Sequence, residues 1–174
     1  MAEQYGSFDF LLADLGVSSM QIDNPERGFS YKQEGPLDLR LNPQNGEPAS
    51  ERLQKMNREE IEGMLIDNSD EPYAAEIARA IAGRKRKWQK IDTTTKLAEL
   101  IGETLAFLPE KERKEAVKKS CARVFQALRI DVNSEFEVLE AFLTKLPSCM
   151  APGGRIAILT FHSGEDRLVK RAFK

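Results

Sequence analysis

Apolar residues run almost unbroken from Phe8 to Leu15 (FDFLLADL), with Asp14 near the end and Gly16 directly after. A short continuous apolar run closed in this way predicts a buried parallel strand. A second run, Ile156 to Phe161, follows Ala151-Pro152-Gly153-Gly154-Arg155 and predicts another strand behind a helix-ending turn. Between the two runs the period is helical. Asn57-Arg58-Glu59-Glu60 reads as a capping box ahead of Ile61, Met64 and Leu65. Ala74, Ile77, Ala78 and Ile81 recur at helical spacing within Tyr73 to Arg86, and Thr94 or Thr95 can cap a helix with Leu97, Leu100, Ile101, Thr104 and Leu105 on one face. Two further helices are expected near Ala122 to Val132 and Ser134 to Met150, and a last one from Ser163 to Lys174. Ser18 to Pro48 differs: Asn24-Pro25 and Arg27-Gly28 are turn signals in a stretch rich in Gly, Pro, Asn and Asp. Ordered loops of that length usually carry function.

The predicted order is therefore strand, long loop, all-helical segment, helices, strand, helix. The two strands fit one parallel sheet of an α/β fold. Two strands do not make a stable open sheet alone, so either further strands lie outside this sequence or the chain holds more than these two. Net charge is −2 over 174 residues, so nucleic-acid contact has to come from local basic patches. The densest is Arg84-Lys85-Arg86-Lys87-Trp88-Gln89-Lys90. It suits RNA, since bases stack on aromatic rings beside cations; it equally suits a solvated helix end, where cations favour the dipole. Lys111 to Lys119 is mixed in charge and reads as a solvated face. Two cysteines without CxxC spacing and one histidine predict neither a disulfide framework nor an ordinary zinc site, which fits a reducing cytoplasm. No apolar run reaches the ~20 residues of a membrane span, and Met1 to Ser7 has neither the basic nor the apolar part of a signal peptide.

Four segments carry a resemblance. They are Asp14-Leu15-Gly16-Val17-Ser18-Ser19-Met20-Gln21; Arg27-Gly28-Phe29-Ser30 through Gly35-Pro36-Leu37-Asp38-Leu39-Arg40; Arg123-Val124-Phe125-Gln126-Ala127-Leu128-Arg129-Ile130 with Val132-Asn133-Ser134-Glu135; and Phe161-His162-Ser163 with Glu165-Asp166-Arg167 and Val169-Lys170. In order and approximate spacing the chain resembles the MraW/RsmH family, bacterial small-subunit ribosomal-RNA (cytosine-N(4)) methyltransferases, over almost its whole length. The resemblance implies a partial Rossmann-like methyltransferase sheet (residues 1–47 and 120–174) with an inserted all-helical domain (48–119). It implies S-adenosylmethionine as cofactor, and ribosomal RNA or the small ribosomal subunit as partner. It also implies a glycine-rich cofactor loop upstream of Phe8 and further chain beyond Lys174, so most of the cofactor site is expected to lie outside this sequence. Gly164 and Met20 stand where the family usually has leucine and proline, and Lys119-Ser120 departs from its usual lead into the Arg-x-Phe-Gln-Ala segment.

The chemistry expected of such a protein is demanding. A cytosine amine is a poor nucleophile because its lone pair is delocalised into the ring. It has to be held in line with the methyl group, and good positioning supplies roughly 7–11 kcal/mol of the barrier. Ligands of open α/β sheets sit beyond the carboxyl ends of the strands, where Asp14 and His162 both fall. Asp14 can accept hydrogen bonds, or it can cap the following turn. The resemblance makes Asp14 and Gln21 cofactor contacts. Gly16 permits close ligand approach, and Ser18 bonds either the cofactor or its own turn. His162 contacts the base, accepts a proton, or is a hydrogen-bonded core histidine. Asn133 and Glu135 line the same cleft, or the neighbouring Ser134 caps a helix. Arg27, Arg40, Arg123, Arg129 and Arg167 are candidates for phosphates, and Arg84, Arg86, Trp88, Arg123 and Arg129 are the expected RNA contacts. No metal is expected. No cysteine is placed to attack the ring, so methyl displacement is direct. The rival reading is a non-catalytic module that binds RNA or a partner; a same-fold enzyme acting on DNA cytosine is a further alternative.

Overall fold

A computed structural model describes residues 6–174. Met1 to Tyr5, part of the stretch read as free of a leader, lie outside the described residues. The chain is mixed α/β and mostly helical, with one two-stranded parallel sheet. It divides into two compact units, one holding the chain up to Val17 together with Ser134–Lys174, the other Ser18–Asn133. The expected helical insert at 48–119 falls inside the second unit. The boundary expected at residues 119 and 120 falls within a single continuous helix, Glu110–Asn133.

The first unit contains strand β1 (Phe8–Asp14) and strand β2 (Met150–Leu159), paired in parallel with Leu11 opposite Ile156 and Asp14 opposite Leu159. The sequence places Pro152-Gly153-Gly154 in a turn before the second strand. The structure keeps them inside it, as a bulge. Pairing jumps from Phe8–Met150 to Phe10–Arg155, and Gly153 takes up the extra residues at φ 82°. A strand tolerates proline and a left-handed glycine only where its ladder is interrupted in this way. One face of the sheet carries Leu11, Ile156 and Ile158 against Leu139, Leu143, Leu146 and Leu168 of the unit's two helices. The opposite face leaves Phe10, Leu12 and Leu159 exposed.

The second unit begins with helix α1 (Ser19–Asp23) and a single 3₁₀ turn at Pro25–Arg27. It continues through helices α2 (Ala49–Lys55), α3 (Arg58–Ser69), α4 (Ala74–Arg86), α5 (Thr94–Thr104) and α6 (Glu110–Asn133). Asn57 and Glu60 form the predicted capping box reciprocally, at 2.9 and 2.7 Å. Every residue of the predicted α4 face, Ala74, Ile77, Ala78 and Ile81, is buried, and it meets Leu65, Leu97, Ile101 and Leu128 in one core. The cap of α5 is Thr93, not Thr94 or Thr95. Thr94 is fully buried instead, and its hydroxyl donates to the Gln33 carbonyl at 2.7 Å.

That contact is one of several that make the long loop a fixed object. Leu37 and Leu39 are 1% exposed, worth about 1.5–3 kcal/mol each in burial. The Leu37 N–H donates to the Asp92 carbonyl at 2.8 Å. Arg27 donates to the carbonyls of Arg40 and Leu41 at 3.1 and 2.8 Å, and Arg40 pairs with Asp38 at 2.7 Å. Burial pushes the Asp38 carboxyl up, but the Arg40 hydrogen bonds and the Arg40 and Arg27 charges outweigh it and hold the group below the usual carboxylate range. Gly28, at φ 71°, and Gly35 let two backbone segments touch. A Cβ on Gly28 would stand 2.2 Å from the Pro36 carbonyl oxygen, and one on Gly35 2.0 Å from that of Pro25.

Gly28→Ala is therefore expected to cost more than about 2 kcal/mol, because backbone has to move. Gly63→Ala, in open space on α3, should stabilise by about 0.5–1 kcal/mol. Urea denaturation of both variants checks the pair, and equal effects would mean that the loop has no such contact.

The Cys121 thiol is pushed up to about 11 by burial and by the nearby Glu71 carboxylate. At pH 8 a thiol reagent should modify the half-buried Cys149 promptly and Cys121 only on unfolding. Prompt modification of both thiols in the folded chain would contradict the packing.

Candidate active site

Parallel pairing puts the carboxyl ends of β1 and β2 at the same edge of the sheet. Asp14 ends β1, opposite Leu159, and His162 lies three residues beyond Leu159. Asp14 is exposed and its carboxylate has no hydrogen-bond or ion-pair partner among the described residues. Gly16 turns the chain with φ 87°, and a Cβ there would stand 3.5 Å from the Phe161 ring. The turns that follow the two strands therefore touch.

His162 is the N-cap of helix α8 (Ser163–Ala172). Its Nδ1 accepts the Glu165 N–H in a long bond of 3.4 Å. The Glu165 side chain returns into the turn: Oε2 accepts the Phe161 N–H at 2.8 Å, and Oε1 lies 3.3 Å from His162 Nε2. The Glu165 side chain is buried, 6% exposed, and that of His162 is largely covered, 10% exposed. The Nε2 nitrogen is out of line with the carboxylate, so it sits buried with no formed hydrogen bond. Helix α7 (Glu135–Cys149) packs over this turn. Phe136 of α7 lies 6.0 Å from the imidazole, ring centre to ring centre, and a Cβ on Gly164 would stand 2.5 Å from the Phe136 ring. A larger residue at 164 would have to displace that ring.

The oxygens and nitrogens of Glu135, His162 and Glu165 lie within 4.8 Å of one another, a donor set that could hold a cation. The hydrogen bonding argues for a proton instead. A ligating histidine normally donates its second ring N–H to a partner, whereas Nδ1 here accepts one. The neutral ring must then carry its proton on Nε2.

The profile of the MraW methylase family matches residues 1–174. This chain belongs to that family. Among curated relatives, Ribosomal RNA small subunit methyltransferase H 1 of Agathobacter rectalis is 65% identical over 174 residues, all of this chain and 50% of that protein. Ribosomal RNA small subunit methyltransferase H 2 of Alkaliphilus metalliredigens is 59% identical over 174 residues, again 50% of its length. Ribosomal RNA small subunit methyltransferase H of Thioalkalivibrio sulfidiphilus is 46% identical over 166 residues, 95% of this chain and 51% of that protein. The chain spans about half the length of the curated relatives it matches.

The other expected site residues fall as follows in this MraW-family chain. Ser18 and Gln21 form a reciprocal capping box at the start of α1, with the Gln21 Oε1 accepting the Ser18 N–H at 3.0 Å. Asn133 is fully engaged: its amide donates to the carbonyls of Leu39 and Arg129, both at 2.8 Å, and accepts the Leu41 N–H at 2.7 Å. Ser134 is left-handed at φ 48° and makes no side-chain cap. Arg123 and Arg129 are half-buried on α6. Arg84 pairs with Glu103 at 2.5 Å, and the Lys85 ammonium bonds the Met56 carbonyl. Arg86 and Trp88 are exposed. Glu165 was not singled out from sequence, although a carboxylate three residues after an N-cap is a capping signal.

His162 is the chain's one histidine, so its ring nitrogens can be read without assignment ambiguity. When the ring is neutral, ¹⁵N spectroscopy should find the proton on Nε2, and Glu165→Gln should shift that resonance. A proton on Nδ1 would overturn the capping geometry.

Proposed function

We propose that this chain is part of an S-adenosylmethionine-dependent methyltransferase acting on the exocyclic amine of a cytidine in small-subunit ribosomal RNA. The observation that carries the reading is the shared strand edge: an unpartnered carboxylate, Asp14, and the buried His162–Glu165 turn stand at the ends of neighbouring parallel strands. The family membership and the relatives' printed names support the choice of reaction and of RNA. In the same reading, β1 and β2 belong to a Rossmann-like sheet and residues 48–119 to a helical insert. The exposed apolar face of Phe10, Leu12 and Leu159 supports the first part, because parallel sheets are normally covered on both faces.

The residues fit a cofactor at this edge. Asp14 offers free acceptor oxygens, and Gly16 removes a side chain from the turn beside it. These two, with Ser18 and Gln21 next in sequence, are the proposed contacts. Gln21 uses its oxygen in the α1 cap and keeps its NH₂ group for a ligand. S-adenosylmethionine, when bound, supplies the electrophilic methyl group. Asp14 also has the chemistry to accept an amine N–H and hold the lone pair in line. His162, its ring fixed by Glu165, is proposed to face the base or relay its proton. Asn133 is proposed as a site residue from the resemblance alone; its amide holds the Leu39–Leu41 backbone. Arg84, Arg86, Trp88, Arg123 and Arg129 are the proposed RNA contacts, with Arg84 tied to Glu103.

The test is methyl transfer by the whole protein that carries these residues, given small-subunit ribosomal RNA and methyl-labelled S-adenosylmethionine. Label should be recovered as N4-methylcytidine. Asp14→Ala should lower the rate roughly 100-fold or more while leaving the circular-dichroism spectrum unchanged. Near-normal methylation by that variant would remove Asp14 from the site.

A further inference from the structure

Helix α4 ends in a hydrogen-bond pattern that ordinarily calls for glycine. The Gln89 N–H donates to the Arg84 carbonyl at 3.0 Å, and the Trp88 N–H to the Lys85 carbonyl at 2.9 Å. This is a Schellman motif, whose left-handed position is usually glycine. Here it is held by Trp88, at φ 57°. A left-handed conformation in a residue with a Cβ costs stability, and the two capping hydrogen bonds need that backbone angle but not an indole. Trp88 is 94% exposed, the most exposed of the large apolar residues among those described. The helix dipole accounts for the cations of this run. It does not account for an indole held in water by a strained backbone.

The surroundings identify what would cover the ring. Five of the seven residues from Arg84 to Lys90 are cationic and none is acidic. Arg84 and Lys85 are engaged with Glu103 and Met56. Arg86, Lys87 and Lys90 are exposed and form no ion pair among the described residues. Gln89 and Lys90, directly after the tryptophan, line a cavity of about 400 Å³ together with Arg84, Lys96 and Glu99. An exposed aromatic face, free cations on either side of it in sequence, and a recess lined by the residues that follow suit a flexible anionic chain carrying planar rings. They do not suit a duplex, whose bases are already stacked.

We infer that Trp88 is a base-stacking platform for single-stranded RNA, held out by the left-handed end of α4 with Arg86, Lys87 and Lys90 on the phosphates. The choice of RNA rests on the function proposed above. Binding is read without cofactor or methyl transfer, so the two readings can fail separately.

The chain has one tryptophan, so its fluorescence reports this site alone. Titration with a ~10-nucleotide single-stranded oligoribonucleotide should quench that emission to saturation. Three phosphate contacts predict a slope of about −2 for log affinity against log salt. In anisotropy measurements on labelled RNA, Trp88→Gly should weaken binding roughly tenfold or more, the loss of one stacked base. The same variant should melt about 2–4 °C higher, because glycine relieves the left-handed strain. Trp88→Phe should keep most of the affinity. The inference is overturned if RNA leaves the fluorescence unchanged, if Trp88→Gly binds as the parent does, or if Trp88→Phe loses as much as Trp88→Gly. It is equally overturned if a duplex of the same sequence quenches and binds as well, since phosphates alone would then explain the affinity.

Discussion

Backbone hydrogen bonds between Phe8–Asp14 and Met150–Leu159 bring two segments far apart in sequence into parallel register. Strand direction then does what no single side chain can: it puts both carboxyl ends, and both following turns, at one edge. Had the pairing been antiparallel, Asp14 would stand beside the start of β2 and His162 at the far end of the sheet. The register is fixed by burial on the covered face. Leu11 and Ala13 lie opposite Ile156 and Ile158, and a slip by one residue would turn those side chains away from Leu139, Leu143 and Leu146. The Pro-Gly-Gly bulge absorbs the mismatch in length upstream, which leaves the half of the ladder that ends at Asp14 and Leu159 regular.

Much that looks like chemistry in the sequence is structural once folded. The segment from Arg27 to Arg40 has two arginines, an aspartate and two glycines, the composition of a phosphate site. Yet Arg27 holds two carbonyls and stacks on Phe29, Arg40 is closed on Asp38, and the glycines stand where backbone meets backbone. Asn133, which looked like a cleft residue, ties α6 to the same loop through three hydrogen bonds. A side-chain amide can make about four such bonds, so little of Asn133 is left for a ligand. Asp14, by contrast, is exposed and its carboxylate has no hydrogen-bond or ion-pair partner among the described residues.

Local signals were legible from sequence where one interaction decides them. The Asn57–Glu60 capping box and the apolar face of α4 are read from four or five residues each, and both are found as read. Harder were features decided by distant partners. Thr93, Thr94 and Thr95 all cap in principle. The choice falls to Thr93 because Thr94 is taken up by Gln33 and Gly35, some sixty positions earlier. Pro-Gly-Gly reads as a turn unless the partner strand that accommodates its bulge is known. The helical segment expected at 48–119 is given an end at residue 119, inside what the structure shows as one helix. The helix runs on regardless, since Ser120, Cys121 and Val124 are buried on the face that α6 turns to α3. The strand-edge position of Asp14 and His162 was legible; the buried Glu165 behind His162 was not, because a capping signal says nothing of which atoms it will trap.

Among the places where the described residues give up stability, two concern positions proposed above for ligand contact. One is the His162 Nε2, buried without a formed hydrogen bond, a situation that costs about 1–3 kcal/mol. The other is Trp88, left-handed and in water, at about 1–2 kcal/mol. Domains hold only about 5–15 kcal/mol in total, so both sums are large enough to matter for folding. Elsewhere the chain resolves the same kinds of conflict: Gly28, Gly35 and Gly153 take the backbone positions that a Cβ would spoil, and Thr94 finds partners for its buried hydroxyl. Left-handed backbone with a Cβ also occurs at Leu39, Asp70 and Ser134, and the Glu71 Oε2 is also buried without a hydrogen bond, so Trp88 and His162 are singled out by their surroundings and not by strain alone. Glycine at position 88 would relieve the strain, and a carboxylate in line with Nε2 would satisfy the imidazole, each a small change. Local strain clusters at functional sites, which makes an outlier a reason to test for function. An indole held ready for a base and an imidazole held ready for a proton are the uses proposed for these two positions.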